Sequence, residues 1–362
     1  MNHRSVLLNP GPVTLSERVR SALLHGDWCH REAEFATLTR DINQRLARVY
    51  PQMADDFEAV TITGSGSAAV EGMLHAFAPA DSATLVVANG VYGDRMATML
   101  AAQGKAHWST QGDWLSPIDT GQVEALLNTH PQITHVATVQ HETTTGRLND
   151  LNAVGRLCKM RGLSLLVDAV SSFGAEHIEP EAWNLSALAA TANKCLHGVP
   201  GLSFVLARAS DWRADSPATS VYLDLHRYHR TQHGDGFSPF TQAVQAAFAL
   251  REALAELDDE GGWRKRRRSY SRRADAFADT LHTAGVEPLL PDESCSAVLR
   301  AWMLPSYLSY ERLHDCLKNR GIVIYAGQGA LDGQLFRIAH MGDIDGELDH
   351  VRQALSKCLR KQ

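Results

Sequence analysis

Between residues 55 and 210, short apolar runs alternate with stretches of helical spacing, and few folds accommodate that rhythm. The runs lie near 57–63, 84–88, 134–140, 163–168 and 202–207, and helices are expected near 68–78, 93–103, 121–129 and 150–161. Such alternation implies βαβ units and a mostly parallel sheet covered by helices on both faces. After Ser238-Pro239 the pattern changes. Long helical stretches run from Phe240 to about Leu257 and from Trp263 to Ala284. A strand at 296–303, a helix at 308–319, strands at 321–325 and 334–338, and a last helix at 344–359 then read as a smaller α/β unit. The 362 residues are enough for two such domains.

Composition removes several functional classes. A net charge of −6 argues against nucleic acid as the main partner. The basic run Arg264-Lys-Arg-Arg-Arg268 falls in a helical stretch and reads as a solvated face. No apolar stretch approaches the roughly 20 residues of a membrane span, and no signal-peptide core opens the chain. Cysteines 29, 158, 195, 295, 316 and 358 show no CxxC pair and no zinc spacing. Reduced thiols, a cytoplasmic enzyme and no metal site are expected.

Chemistry concentrates in Thr191-Ala-Asn-Lys194-Cys-Leu-His-Gly198-Val-Pro-Gly201. The chain has seven lysines against 28 arginines, and Lys194 stands apart from the polar helical settings of most others. A lysine amine in a partly desolvated site has a depressed pKa and can attack a carbonyl to form a Schiff base. A charge reaching water from a strand end is the alternative. Upstream, the apolar run Leu163-Ser-Leu-Leu-Val ends in Asp168, followed by Ala-Val-Ser-Ser-Phe-Gly174. In open α/β sheets ligands sit outside the carboxyl ends of strands, where Asp168 falls, although such a residue can also cap the next helix. A lysine for the aldehyde and a carboxylate for the pyridinium nitrogen are what pyridoxal 5'-phosphate (PLP) requires. Gly64-Ser65-Gly66-Ser67 lies between a strand and a helix, where backbone N–H groups and the positive helix end favour a phosphate. It is neither a P-loop nor a GxGxxG motif.

These segments are joined by Leu8-Asn-Pro-Gly-Pro-Val-Thr14, Asn89-Gly-Val-Tyr-Gly-Asp-Arg95, His141-Glu-Thr-Thr-Thr-Gly146 and Phe336-Arg-Ile338. Together they resemble the class V, fold-type I PLP aminotransferases along nearly the whole chain. Within that class, the segments at 141–146, 168–174 and 193–195, with Leu223-Asp-Leu225, resemble the 2-aminoethylphosphonate–pyruvate transaminases. The resemblance implies a large domain at 15–245 with a seven-stranded, mostly parallel sheet, and a small domain at 246–362 joined by a 1–14 crossover.

It further implies Lys194 and Asp168 as catalytic residues. Tyr92 would stack on the cofactor ring, and Thr143 or Thr144 would bond its phenolic oxygen. Ser65, Gly66, Ser67 and Thr191 would hold the phosphate, with Ser171 lining the site. Thr241 of a second copy would reach the same phosphate, making a homodimer with shared sites. Arg337 would grip the acidic substrate beside Pro10 and Gly11, with His30-Arg31 adding charge nearby or standing in solvent. The implied substrates are a small amine and a keto acid. An alanine–glyoxylate or serine–pyruvate aminotransferase and a PLP lyase acting on an aminophosphonate share the same machinery.

Overall fold

The computed structural model describes residues 5–78, 80–215 and 218–361, so the first residues of the N-terminal crossover, 1–4, lie outside it. The chain opens with β1 (Val6–Leu7), α1 (Glu17–Ala22) and α2 (Ala33–Arg48). Alternation follows: β2 (Phe57–Thr63), α3 (Gly66–Phe77), β3 (Ala83–Val87), α4 (Val91–Ala102), β4 (Ala106–Ser109), α5 (Thr120–Thr129) and β5 (Ile133–Val139). A hairpin of β6 (His141–Glu142) and β7 (Arg147–Leu148) leads to α6 (Leu151–Arg161), β8 (Ser164–Asp168), β9 (Leu185–Thr191) and β10 (Leu202–Arg208). Then come α7 (Leu225–Gly234), α8 (Val244–Asp259), α9 (Gly262–Thr283), β11 (Leu299–Met303) and α10 (Tyr310–Lys318). The chain closes with β12 (Ile322–Val323), β13 (Tyr325–Ala326), β14 (Leu335–Ala339) and α11 (Leu348–Cys358).

Seven strands form one sheet in the order β2-β10-β9-β8-β5-β3-β4. Only β10 runs against its neighbours; the other pairings are parallel. Since β10 opposes both β2 and β9, β2 points the same way as β9, β8 and β5. Their last residues, Thr63, Thr191, Asp168 and Val139, therefore share one rim of the sheet. Helices α2, α5, α6 and α8 pack one core on one face, and α3, α4 and α7 pack another on the opposite face. This is the α/β architecture that the alternation predicts.

The strand before Lys194 was not legible. Leu185-Ser-Ala-Leu-Ala-Ala-Thr191 is alanine-rich, and alanine is a weak strand former. Every position of β9 is nevertheless buried, because it lies between β10 and β8 with α3 packed across it. Small side chains let the helix close on the strand. The helix expected from Phe240 starts at Val244, so 236–243 remain a loop.

The N-terminal strand crosses to the far end of the chain, as expected. β1 pairs in parallel with β12, and the Leu8 carbonyl accepts from Ala339 N–H. Val6 and Leu8 share a core with α9, β11, α10, β12, β14 and α11.

Two expectations fail. Cys316 and Cys358 form a disulfide across 42 residues, so these two are not reduced thiols. Helices α10 and α11 pack together and bring the two Cα atoms to 5.8 Å, a proximity invisible in the spacing. Nor is the basic run a wholly solvated face. Arg266 is 2% exposed, pairs with Glu260 and donates from Nη1 to the Cys195 carbonyl at 2.9 Å. Among the described residues, no helix is long and apolar enough to cross a membrane.

One close approach offers a test of packing. A Cβ on Gly155 of α6 would lie 2.5 Å from Trp183 Cα, a backbone atom that cannot swing aside. Alanine favours a helix over glycine by about 1 kcal/mol, whereas overpacking costs about 1–3 kcal/mol. Gly155→Ala should therefore lower stability in urea unfolding; a rise would show that the contact relaxes.

Candidate active site

The turn carrying Lys194 leaves the end of β9 and returns the chain to β10. Thr191 Oγ1 lies 2.8 Å from Asn193 Oδ1 and 3.3 Å from the Leu202 carbonyl, tying the turn at its base. Lys194 is half-buried over its whole length, and burial of its amine pushes that group down to about 8. The adjacent Cys195 thiol, itself pushed up to about 12 by burial, is neutral there, which leaves Asp168 as the anion opposing the shift. Arg337 and Arg95 act in the other direction and reinforce it.

Asp168 ends β8, the strand next to β9, and is buried. Burial pushes its carboxyl up to about 6 against the Val170 N–H bond, Lys194 and Arg95. Its Oδ1 accepts from Val170 N–H at 2.9 Å, so Asp168 closes a turn as well as facing the rim.

The first turn of α3 presses against these two strand ends. A Cβ on Gly66 would lie 2.7 Å from Val170 Cγ1 and 3.5 Å from Thr191 Cβ. Ser65 occupies the N-cap position with extended backbone and no side-chain capping bond, and it is exposed. Ser67 Oγ accepts from Arg95 Nη1 at 3.3 Å. The helix start thus offers N–H donors and two hydroxyls on the Lys194 rim, the chemistry an anion needs.

Tyr92 lies in the first turn of α4 with the Arg95 guanidinium 4.8 Å from its ring centre. Glu142 was missed by sequence reasoning. It is fully buried and accepts from Gly93 N–H at 2.9 Å and Tyr92 N–H at 3.4 Å, while burial pushes its carboxyl up to about 7. A Cβ on Gly90 would lie 2.4 Å from Glu142 Cδ, so the glycine makes room for the carboxyl. The only sequence signal was a carboxylate beside three more eye-catching threonines.

The threonines now separate. Thr144 Oγ1 donates to Glu142 Oε2 at 3.5 Å, and Thr145 Oγ1 accepts from Arg147 N–H at 3.4 Å. Thr143 Oγ1 is buried and has no partner among the described residues. His141 is similar: Nδ1 donates to the Ser171 carbonyl at 3.1 Å, Nε2 is unpartnered, and burial holds the ring neutral, down to about 4. Ser171 Oγ bonds the His141 carbonyl at 3.0 Å, so its hydroxyl is spent on the wall of the site.

Arg337, on β14, is 4% exposed. Its Nε donates to the Ala326 carbonyl at 2.8 Å and Nη1 to the Thr143 carbonyl at 3.0 Å. Burial pushes the guanidinium down, yet it carries more donors than two carbonyls use. The crossover segment closes the group. Pro10 is buried, and a Cβ on Gly11 would lie 2.8 Å from Lys194 Cδ, at a φ of +113° that also demands glycine. Thr241 is exposed, and its carbonyl accepts at 3.5 Å from Oγ1 of Thr63, the residue that ends β2 before the Gly64–Ser67 turn. Arg31 donates to Pro239 on the Thr241 loop, with His30 half-buried beside it.

A half-buried lysine, a buried carboxylate and a helix start on one rim, with a buried arginine reaching them from β14, suit carbonyl–amine chemistry on an anionic molecule. The chain belongs to the class-V aminotransferases: that family's model matches residues 22–340. Its fold is that of fold-type I aminotransferases; alanine–glyoxylate aminotransferase from Nostoc sp. superposes with a TM-score of 0.91 at 24% identity, over 99% of this chain and 96% of that one. Among curated proteins it is similar to 2-aminoethylphosphonate–pyruvate transaminase of Aeromonas hydrophila, 37% identical over 94% of this chain and 90% of that protein. The enzyme of the same description from Rhizobium meliloti is 35% identical over 96% of this chain and 90% of its own length.

Competitive acylation, after hydroxylamine has cleared bound carbonyl compounds, should read the Lys194 amine directly. Its labelling should rise with pH around a midpoint near 8, because the neutral form is present above that value and lost below it. Exposed lysines should follow only above about pH 10. A midpoint for Lys194 up there would place its charge in water.

Glu142 gives a second titration, of opposite sense. Between its ordinary value of 4.5 and about 7, the folded chain holds a proton that the unfolded chain has lost. Stability from this group therefore falls as pH rises through that window. Glu142→Gln keeps an acceptor for Gly93 N–H and cannot ionise. The melting-temperature difference, variant minus wild type, should grow from pH 5 to pH 7.5; a constant difference would place the ionised carboxylate in a solvated setting.

Proposed function

We propose that the chain is a PLP enzyme that transfers the amino group of 2-aminoethylphosphonate, or a close aminophosphonate, to pyruvate, giving phosphonoacetaldehyde and L-alanine. The observation that carries this reading is the buried Lys194 amine beside buried Asp168, on the rim where α3 begins. The substrates follow the printed descriptions of relatives that align over nearly the full chain.

The residues fit the cofactor. Lys194 suits its aldehyde, and Asp168, raised by burial, is a carboxylate that a cationic ring nitrogen would return toward its ordinary range. The α3 N-terminus with Ser65, Gly66, Ser67 and Thr191 suits the phosphate. The unpartnered Thr143 hydroxyl suits the phenolic oxygen, ahead of Thr144, and Tyr92 suits the ring face. When bound, PLP supplies an aldehyde for the amine and a ring that withdraws electrons from the amine-bearing carbon.

Lys194 would hold the cofactor at rest; its freed amine would take the proton from the amine-bearing carbon as general base and give that same proton back as general acid. With the amine near 8, both protonation states are accessible around neutrality. Asp168 would supply the carboxylate for the ring nitrogen. Ser171 steadies His141, and Glu142 fixes the α4 turn that carries Tyr92. Arg337 takes the phosphonate of the donor and the carboxylate of pyruvate in turn, with Pro10 and Gly11 lining the approach. Residues 15–245, with α8 on the same core, form the cofactor-binding domain, and the later residues with the 1–14 crossover form the smaller one. In a homodimer, which light scattering would detect, exposed Thr241 serves the phosphate site of a second copy.

Mixing the enzyme with a panel of amines, and following loss of the PLP absorbance and formation of alanine, tests the reading. 2-Aminoethylphosphonate with pyruvate should turn over; turnover with alanine and glyoxylate alone would refute the substrate. The phosphonate is this donor's one strong handle, and losing a buried charged partner costs about 2–5 kcal/mol. Arg337→Ala should thus raise KM for phosphonate and pyruvate together, with partial recovery in Arg337→Lys. Unchanged KM values with lowered stability would make Arg337 a strut between Ala326 and Thr143 only.

A further inference from the structure

Away from the site just described, α7 lies along β2, an edge strand of the large sheet. Gln232 side-chain Nε2 donates to the Thr61 carbonyl at 2.7 Å, and its Oε1 accepts from Thr61 N–H at 3.0 Å, so the helix pairs groups that an edge strand leaves open. On the same helix His229 and His233 stand four residues apart, one turn above the other, with ring centres 4.5 Å apart. Glu58, near the start of β2, faces both. His229 Nε2 lies 2.5 Å from Glu58 Oε2, and His233 Nδ1 lies 3.9 Å from Glu58 Oε1.

A hydrogen bond fixes which nitrogen of His233 faces outward. His233 Nε2 is 2.9 Å from the Ala59 carbonyl, which can only accept, so Nε2 carries a proton and Nδ1, facing Glu58, is the nitrogen whose lone pair the neutral ring offers a metal. A histidine that donates one ring N–H to a backbone carbonyl while its other nitrogen faces a carboxylate is oriented as metal-ligating histidines are. His229 is held as firmly: the Trp212 ring stacks on it at 4.5 Å and 5° between planes. One ligand atom from each of Glu58, His229 and His233 falls within 4.8 Å of the others.

We propose that Glu58, His229 and His233 form a binding site for a zinc-type divalent transition metal, which pins α7 to the sheet edge. Two imidazoles and one carboxylate are the donor set of such ions rather than of magnesium or calcium. Bonds of about 2.0–2.2 Å to the three ligands need the His229–Glu58 contact to open and the His233 side to close by about an ångström. The ring proton on His229 moves from Nε2 to Nδ1 as the metal takes Nε2. The three side chains leave the fourth tetrahedral position to water.

The role is mechanical, because five residue steps along β2, about 17 Å, separate Glu58 from Thr63 at the catalytic rim. What the metal would brace is α7 and the 236–243 loop that follows it, which carries Thr241.

Cobalt(II) is the probe of choice, since its visible absorption reports the coordination around it. The purified full chain, treated with EDTA and titrated with Co(II), should show saturable tetrahedral bands at one equivalent per chain, and Zn(II) should displace them. Zn(II) should also raise the melting temperature, while Mg(II) at the same concentration should not. Glu58→Gln and His233→Ala, at partly exposed positions, should each keep native circular dichroism and weaken Co(II) binding at least about 10-fold, the smallest loss expected even for an outer-shell partner. His229→Gln gives a third reading should one of these fail to fold. Wild-type bands that persist in the folded variants, or no saturable binding to the wild type, would overturn the site. Because Lys194 and its pocket play no part in these readouts, failure here leaves the transaminase reading standing, and the converse.

Discussion

Taking a lysine amine out of water disfavours its charge, and at Lys194 this burial outweighs the pull of Asp168. The rest of the pocket is arranged around that balance. Asp168 is itself desolvated, so each group faces a partner that water screens little. Arg337 and Arg95 hold Lys194 down further while offering positive charge to an acidic ligand. The outcome is an amine that gains and loses a proton near neutrality.

Such a turn has to be held in place, and its supports come from distant parts of the chain. His197 sits at a φ of +65°, a left-handed conformation that costs a non-glycine residue about 1–2 kcal/mol. Its buried ring stays neutral and bonds Tyr270 of α9 and the Gly342 N–H, while Arg266 of α9 donates to the Cys195 carbonyl. Strain at the turn is thus offset by contacts from α9 and from the segment just after the Arg337 strand. Movement of the C-terminal elements would be felt at Lys194, through these bonds and through Gly11 packed on the lysine stem.

Much of this was legible in the chain. Regular alternation after residue 55 required a parallel sheet, and a sheet of that kind has one rim where strand ends and helix starts meet. Lys194, Asp168 and the Gly64–Ser67 turn announced themselves because each breaks an apolar or small-residue run with a reactive or anion-binding group. Strand β9 did not, since its alanines are chosen by the closeness of α3 rather than by strand preference. Glu142 was passed over because a carboxylate shows its function only once it is buried against the α4 N-terminus.

What the sequence by itself determined is the set of local elements and the residue types able to do the chemistry, since both rest on spacing and on side-chain character. Tertiary structure alone decided which of them meet. It turned a basic run inward to put Arg266 on the Cys195 carbonyl, joined Cys316 to Cys358, and left Thr143 rather than Thr144 with an unpartnered hydroxyl. It also set Glu58 against two histidines some 170 residues away, 171 in the case of His229. The physical reason is that desolvation and hydrogen-bond pairing depend on neighbours in space, and only the folded chain brings those neighbours together.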